Sequence, residues 1–320
     1  MKLFSVIISA YNAAGTLPEA IDSILSQTYR DFELIIVNDG SRDETGAIID
    51  SYASKDSRIT AYHQENKGLG KSFNLAIEMA DGEWLAFLGA DDAWMRRKLE
   101  LQLRAIEEHP DATVVATGWT NYDDGVARDE SVELNLLPIK RLQNIFETLV
   151  LNDFQFPPAS ALLKREKLRK VGLFTDDKSG QDYRPFMLLA LQDEPFYLLD
   201  MPLYRMRIVK GSLSRSANSG YKWGLARFNA IRDVLEHQDL YRQYLDPERI
   251  EILKWGVDKY LKGAISGARQ SMTYNRYFAF TIENLSNFSR WDIAIKELCK
   301  SLLFPGAKML RLMKPRSSGC

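Results

Sequence analysis

The stretch that most constrains this chain is residues 83–92, Glu-Trp-Leu-Ala-Phe-Leu-Gly-Ala-Asp-Asp, a short apolar run that stops at two adjacent carboxylates. Entered through Asp81-Gly82, it predicts a buried strand whose carboxyl end opens into a loop, leaving Asp91 and Asp92 at a sheet edge. A second run of this kind, residues 32–37, leads into Asn38-Asp39-Gly40-Ser41. Ligands of open α/β sheets bind outside the carboxyl ends of the strands, so if these two strands are parallel, Asp39 and Asp91 face one crevice. Two carboxylates and a turn, with no thiol or imidazole nearby, suit a hard cation such as Mg²⁺ or Mn²⁺ serving substrate phosphates. Plainer readings stand beside this one. Asp91-Asp92 also reads as the cap of a helix starting at Trp94, and Asn-Asp-Gly is ordinary turn chemistry.

In chain order, residues 3–9 are almost all apolar, as in a central parallel strand. The spacing of Leu17, Ala20, Ile21, Ile24 and Leu25 predicts a helix over 16–27 with Thr16 at its N-cap. Helices are expected over 43–54, 72–80 and 94–108, and strands over 58–62 and 112–117. This alternation indicates an α/β fold, a mostly parallel, Rossmann-like sheet flanked by helices. Beyond Thr120, Asp123, Asp124, Asp129, Glu130 and Glu133 read as a surface excursion. Residues 145–151 and 183–191 read as helices, 159–163, 196–199 and 203–208 as strands, and 209–220 as a loop. Helical patterns fill the remainder. The expected division is a domain over 1–218, its halves meeting near residue 118, and a helical C-terminal extension over 219–320.

Totals narrow the possibilities. The 320 residues, 45% of them hydrophobic, suffice for a sizeable core, and a net charge of -1 argues against a nucleic-acid binder. Cys299 and Cys320 are too few for a disulfide framework or a thiolate zinc site. No signal-peptide core and no long apolar span stand out, which points to a cytoplasmic setting. Residues 291–320 interleave Lys296, Lys300, Lys308, Arg311, Lys314 and Arg316 with apolar side chains. Such a basic amphipathic segment suits peripheral contact with the inner face of the plasma membrane, or packing against the body or a partner. Gly68-Leu69-Gly70-Lys71-Ser72 is no phosphate loop, because position 65 is Glu rather than Gly. His63, His109 and His237 form no recognisable catalytic or metal pattern and read as incidental.

Five motifs in order, residues 5–12, residues 23–29, Ile36-Val37-Asn38-Asp39-Gly40-Ser41, Asn66 with Gly68 and Asn74, and Phe87-Leu88-Gly89-Ala90-Asp91-Asp92, resemble those of family 2 glycosyltransferases of the GT-A fold. The resemblance implies inverting transfer of a sugar from a nucleotide-diphosphate donor to a hydroxyl acceptor, with a divalent metal. It implies that Tyr11 packs on the nucleobase and Asp39 hydrogen-bonds it, often uracil, which favours a UDP-sugar. Asn66, Asp91 and Asp92 fall in the substrate-binding motifs, and Asp91 matches the metal-binding second acid of Asp-x-Asp. Gly89 replaces the first acid, Asn38 stands where Asp is common, and Phe73 where Arg often precedes the Asn. Gln181-Asp182 resembles the later motif whose Asp is the catalytic base, although residue 182 also reads as the N-cap of a helix at Tyr183. Tyr204-Arg205 with Gly211-Ser212-Leu213-Ser214 resembles the segment that closes over the donor. Expected partners are the nucleotide sugar and a glycan or lipid-linked acceptor of cell-surface assembly. The alternatives are an inactive sugar-nucleotide-binding protein, motivated by Gly89 and Phe73, and a nucleotidyltransferase. The latter is disfavoured because Ala10-Tyr11-Asn12-Ala13-Ala14-Gly15 lacks a basic residue to grip a triphosphate.

Overall fold

A computed structural model describes residues 3–122, 139–152, 156–174, 182–208, 219–271, 274–290, 292–294, 296–297 and 300. The chain divides into two compact units, Met1–Lys210 and Gly211–Cys320. The first unit opens with β1 (Phe4–Ala10), α1 (Leu17–Leu25), β2 (Phe32–Asp39), α2 (Thr45–Ala53), β3 (Ile59–Gln64), α3 (Leu69–Met79) and β4 (Trp84–Gly89). It continues through β5 (Ala93–Trp94), α4 (Lys98–Glu108), β6 (Val114–Tyr122), β7 (Ile139–Arg141) and α5 (Ile145–Leu151). It ends with β8 (Leu162–Lys164), α6 (Arg165–Val171), α7 (Tyr183–Leu191) and β9 (Phe196–Arg207).

These strands form one mixed sheet in the order β3-β2-β1-β4-β8-β6-β9-β5, with β7 paired to β9. The expected α/β architecture is therefore present. β1 pairs in parallel with β2 and β4, and β2 with β3. β8 is antiparallel to both β4 and β6, so those two run the same way, and β9 follows β6 in parallel. The carboxyl ends of β1, β2, β4, β6 and β9 thus share one edge. β1 reads as largely apolar because both its faces are covered: Phe4, Val6, Ile7 and Ile8 are all fully buried. One core cluster joins Val6, Ile8, Leu34, Ile36, Ala86 and Leu88 of the sheet to Ile21 and Ile24 of α1 and Leu99 of α4.

Three expectations are corrected here. Trp94 does not begin a helix; it lies in β5, paired with Tyr204, and α4 starts only at Lys98 after an Arg97 cap. Asp91-Asp92 is accordingly a strand-to-strand loop and no helix cap. Thr16 does occupy the N-cap position of α1, but its hydroxyl makes no capping bond. Finally, the two strands expected over 196–208 are one, β9, whose pairing with β6 slips at Gly118 and then resumes. The acidic excursion over 123–138 and residues 209–218 of the loop expected over 209–220 lie outside the described residues, whereas residues 219–220 begin a helix.

The second unit comprises α8 (Ser219–Glu236), α9 (Gln238–Tyr241), α10 (Pro247–Ser271) and α11 (Tyr274–Asn284). Its core includes Phe228, Ile231, Val234, Leu253, Leu261 and Ile265. Asp258, 2% exposed, is paired inside this unit, accepting from the N–H and hydroxyl of Ser289. Among the described residues no helix is long and apolar enough to cross a membrane.

Candidate active site

Strand register assembles the site. Ala10 of β1 stands beside Asn38 of β2, and Ser9 beside Gly89 of β4. Tyr11, Asp39 and Asp91 therefore leave the sheet at the same edge, within one or two residues of each other along three adjacent strands.

Tyr11 is half exposed, at 50%, and is carried on a loop tied down by side chains from the β2–α2 connection. The Asn12 N–H donates to Ser41 Oγ at 3.0 Å, Ala13 N–H to Thr45 Oγ1 at 2.8 Å and Ala14 N–H to Asp43 Oδ2 at 3.1 Å. With its loop held this way, the ring is presented to solvent as a rigid aromatic platform. Asp39 is buried, at 3% exposure, and organises the neighbouring loop. Its Oδ1 accepts from Gln64 Nε2 at 2.7 Å and Lys67 N–H at 2.8 Å, and its Oδ2 from Gly68 N–H at 2.9 Å. One acceptor position on Oδ2 is left over for a ligand N–H. Gly40, at φ +74°, packs so closely on this loop that a Cβ would lie 2.6 Å from the Asn66 nitrogen. Asn66 is exposed beside it.

His63, read from sequence as incidental, takes part in this edge. Ser41 N–H donates to Asn38 Oδ1 at 3.0 Å, which turns Asn38 Nδ2 toward His63 Nδ1 at 3.0 Å, while His63 Nε2 lies 3.0 Å from Asp50 Oδ1. With Nε2 turned to the Asp50 carboxylate, a neutral His63 ring accepts at Nδ1 from the Asn38 amide, a donor that an Asp would lack.

At the end of β4 two carboxylates converge over Gly89, whose missing Cβ would sit 2.9 Å from Asp91 Oδ1 and 2.7 Å from Asp92 Oδ2. Asp92 faces inward: its carboxylate accepts from the Tyr204 hydroxyl and, at 2.8 Å, from the Arg207 N–H. Burial, and next the charge of Asp91, push its pKa up from 3.8 to about 6 against those two hydrogen bonds. Burial and the facing Asp92 carboxylate hold the Tyr204 phenol well above its ordinary value. Asp91 is half-buried, and among the described residues its carboxylate takes no side-chain or backbone hydrogen bond. The donor set fits a diphosphate-bound Mg²⁺ or Mn²⁺ through Asp91 alone. Asp92 is committed to β9, and no group of three His, Cys, Asp or Glu side chains among the described residues could hold an ion unaided. Such ions ordinarily take one or two carboxylates and complete their shell with substrate phosphates and water.

Asp182 stands at the N-cap of α7 without a capping side-chain bond, and Gln181 lies outside the described residues. Register does not bring Asp182 to the edge. Contacts of the neighbouring Arg184 tie α7 to α6, and Phe174 beyond α6 packs on β4 and α3. Arg184 Nη1 donates to the Val171 carbonyl at 3.4 Å, and Phe174, three residues on, packs its ring 5.1 Å from Phe87 of β4 and 5.3 Å from Phe73 of α3. Phe73 fills this aromatic cluster where the family's arginine often stands. Side chains that the sequence did not single out also meet the acidic loop: Glu19, which pairs with Arg207, and Arg207 itself, whose Nε donates to the Asp91 carbonyl at 2.9 Å. No local signal links residues so far apart.

Residues 5–172 match the family described as Glycosyl transferase family 2. Among curated proteins, the chain is 33% identical over 233 residues to Glycosyltransferase GlyG of Streptococcus pneumoniae, covering 67% of this chain and 74% of that protein. It is 29% identical over 259 residues to Glycosyltransferase GlyA of the same organism, covering 76% of this chain but only 37% of GlyA. Of solved structures, S. aureus TarS 1-349 in complex with UDP-GlcNAc superposes with TM-score 0.62 at 18% identity, covering 96% of this chain and 92% of that one. A second S. aureus TarS structure gives 0.65 at 20% identity, covering 98% of this chain and 53% of that one. The mannosyltransferase PcManGT of Pyrobaculum calidifontis, in complex with GDP-Man and Mn²⁺, gives 0.57 at 17%, covering 98% and 88%. The chain thus spans about a third of GlyA and half of the second TarS chain, and the structural likenesses speak to the fold. With more than half of its length inside the family match, the chain belongs to glycosyl transferase family 2.

Proposed function

We propose that this chain transfers a sugar, with inversion, from a nucleotide-diphosphate donor, UDP favoured, to a hydroxyl of a glycan or lipid-linked acceptor in cell-surface assembly. The observation that carries the reading is the shared carboxyl edge on which Tyr11, Asp39 and Asp91 leave three adjacent strands. UDP-GlcNAc in the TarS complex and GDP-Man with Mn²⁺ in the PcManGT complex support a donor of this class.

In this reading Tyr11 stacks on the base and Asp39 Oδ2 accepts its N–H. Asp91 holds the divalent ion together with the diphosphate. When bound, that ion supplies Lewis-acid neutralisation of charge on the leaving diphosphate. Asp182 takes the proton of the acceptor hydroxyl as its oxygen attacks the anomeric carbon from the face opposite the diphosphate. The new C–O bond forms as the bond to the diphosphate breaks. We assign this chemistry to the domain ending near residue 218, and peripheral membrane contact on the cytoplasmic side to the basic segment over 291–320, where a lipid-linked acceptor would lie.

A panel of nucleotide sugars, with and without Mn²⁺, read by thermal shift, tests the proposal. A donor that binds the native state raises the melting temperature, and the reading requires at least one nucleotide sugar to do so more strongly with Mn²⁺. Binding without turnover in the presence of acceptors would favour the inactive binding protein. No shift with any donor would remove the transferase reading.

A further inference from the structure

Resting on the reading of Asp91 as the ion's ligand, we propose that Thr16 and Glu19, at the start of α1, are positioning residues that set Asp91 for the metal–diphosphate. Two like charges converge over Gly89, and something must hold them there against their repulsion. Asp92 is held from β9 by Tyr204 and the Arg207 N–H. The backbone carrying Asp91 is held from the start of α1 and by the Arg207 side chain. Thr16 Oγ1, in place of the capping bond its position invites, donates to the Ala90 carbonyl at 2.8 Å. The Arg207 guanidinium donates through Nε to the next carbonyl, that of Asp91, at 2.9 Å, and its Nη2 is ion-paired to Glu19. The Arg207 side chain is only 7% exposed and that of Glu19 24%, so the pair lies in a low-dielectric setting where geometry is well defined.

Two consecutive carbonyls of the acidic loop are therefore gripped from one helical turn, directly at Ala90 and through Arg207 at Asp91. The same turn follows the Tyr11 loop, whose amides are fixed to Ser41, Thr45 and Asp43. α1 thereby ties the nucleobase platform to the ion's carboxylate, so that a nucleoside diphosphate meets both at a fixed separation. Partners of this kind, one shell out from a metal ligand, orient the ligand, and losing one costs about 10–100-fold in metal affinity or activity.

The test is calorimetric titration of UDP and of GDP into wild-type protein and the variants Thr16→Val, Thr16→Ser and Glu19→Gln, each in EDTA and across a Mn²⁺ series. The expected result is that Thr16→Val and Glu19→Gln raise the Mn²⁺ concentration needed for half-maximal nucleotide binding about ten-fold, with affinity in EDTA unchanged. Thr16→Ser, which keeps the hydroxyl, should behave as wild type. An unchanged Mn²⁺ requirement in both disrupting variants overturns the inference. So does an equal loss of affinity in EDTA and in Mn²⁺, which would mean that these residues support the site in general rather than Asp91. Wild-type protein whose binding of both nucleotides ignores Mn²⁺ overturns the functional reading underneath, and that outcome is visible before any variant is made.

Discussion

Asn74 and Phe174, 100 positions apart, clasp each other through two hydrogen bonds: Asn74 Nδ2 donates to the Phe174 carbonyl at 2.9 Å, and the Phe174 N–H donates to Asn74 Oδ1 at 2.9 Å. One amide side chain of α3 thereby satisfies both backbone groups of Phe174, which precedes Asp182 by eight positions. Asn74→Ala leaves both unpaired in a part-buried position and should cost about 1–3 kcal/mol of stability, read by urea denaturation. If the clasp positions the base, kcat should fall by more than donor affinity does. Equal losses in the two would restrict the clasp to holding the fold.

Asp92 makes stability depend on pH with a definite sign. Its folded-state pKa is raised from 3.8 to about 6 by burial and then by Asp91, so between those values the folded protein retains a proton that the unfolded chain releases. Stability therefore falls as pH rises from about 4 to about 6, by up to about 3 kcal/mol from this group. Denaturation of wild type and Asp92→Asn in EDTA should show the difference between them shrinking or reversing across that window, with wild type relatively strongest at the acid end. A difference that stays flat with pH would mean that Asp92 is not held in this way.

The resemblance sets Gly89 at the first acid of Asp-x-Asp, and the local geometry predicts that an acid placed there harms the site. A Cβ at this position meets Asp92 Oδ2 at 2.7 Å and Asp91 Oδ1 at 2.9 Å, so even Gly89→Ala must displace the hydrogen-bonded Asp92 carboxylate and turn Asp91 aside. We expect a loss of about 1–3 kcal/mol for Gly89→Ala, the usual range for overpacking, and a larger loss for Gly89→Asp, which adds a third negative charge. Both should need more Mn²⁺ for nucleotide binding. Tighter Mn²⁺-dependent binding by Gly89→Asp would contradict the arrangement described.

Much of this arrangement can be read from local sequence, and the reason differs from element to element. Apolar runs ending at Asn38-Asp39 and at Asp91-Asp92 locate β2 and β4 because burial of a parallel strand writes itself into every position. The helix over 183–191 follows equally from its composition and matches α7. β5 was hidden because Ala93 and Trp94 become a strand only by pairing with Arg205 and Tyr204, more than a hundred residues later. The same holds for the Thr16 hydroxyl, which local rules assign to a helix cap and tertiary structure sends to Ala90. Glu19 with Arg207, and His63 with Asn38 and Asp50, are likewise long-range pairings that leave no periodic trace.

The central claim is that acids from separate stretches of the chain act together on one transfer, Asp91 toward the diphosphate and Asp182 toward the attacking hydroxyl. The measurement that tests it most directly is nucleoside diphosphate release from the donor found by thermal shift, with Mn²⁺ and acceptor, in wild type and Asp182→Asn, alongside donor binding by each. A general base contributes about 10²–10⁴-fold, so Asp182→Asn should lose at least that lower factor in acceptor-dependent release while binding the donor as wild type does. Acceptor-dependent release by Asp182→Asn at the wild-type rate would contradict the account.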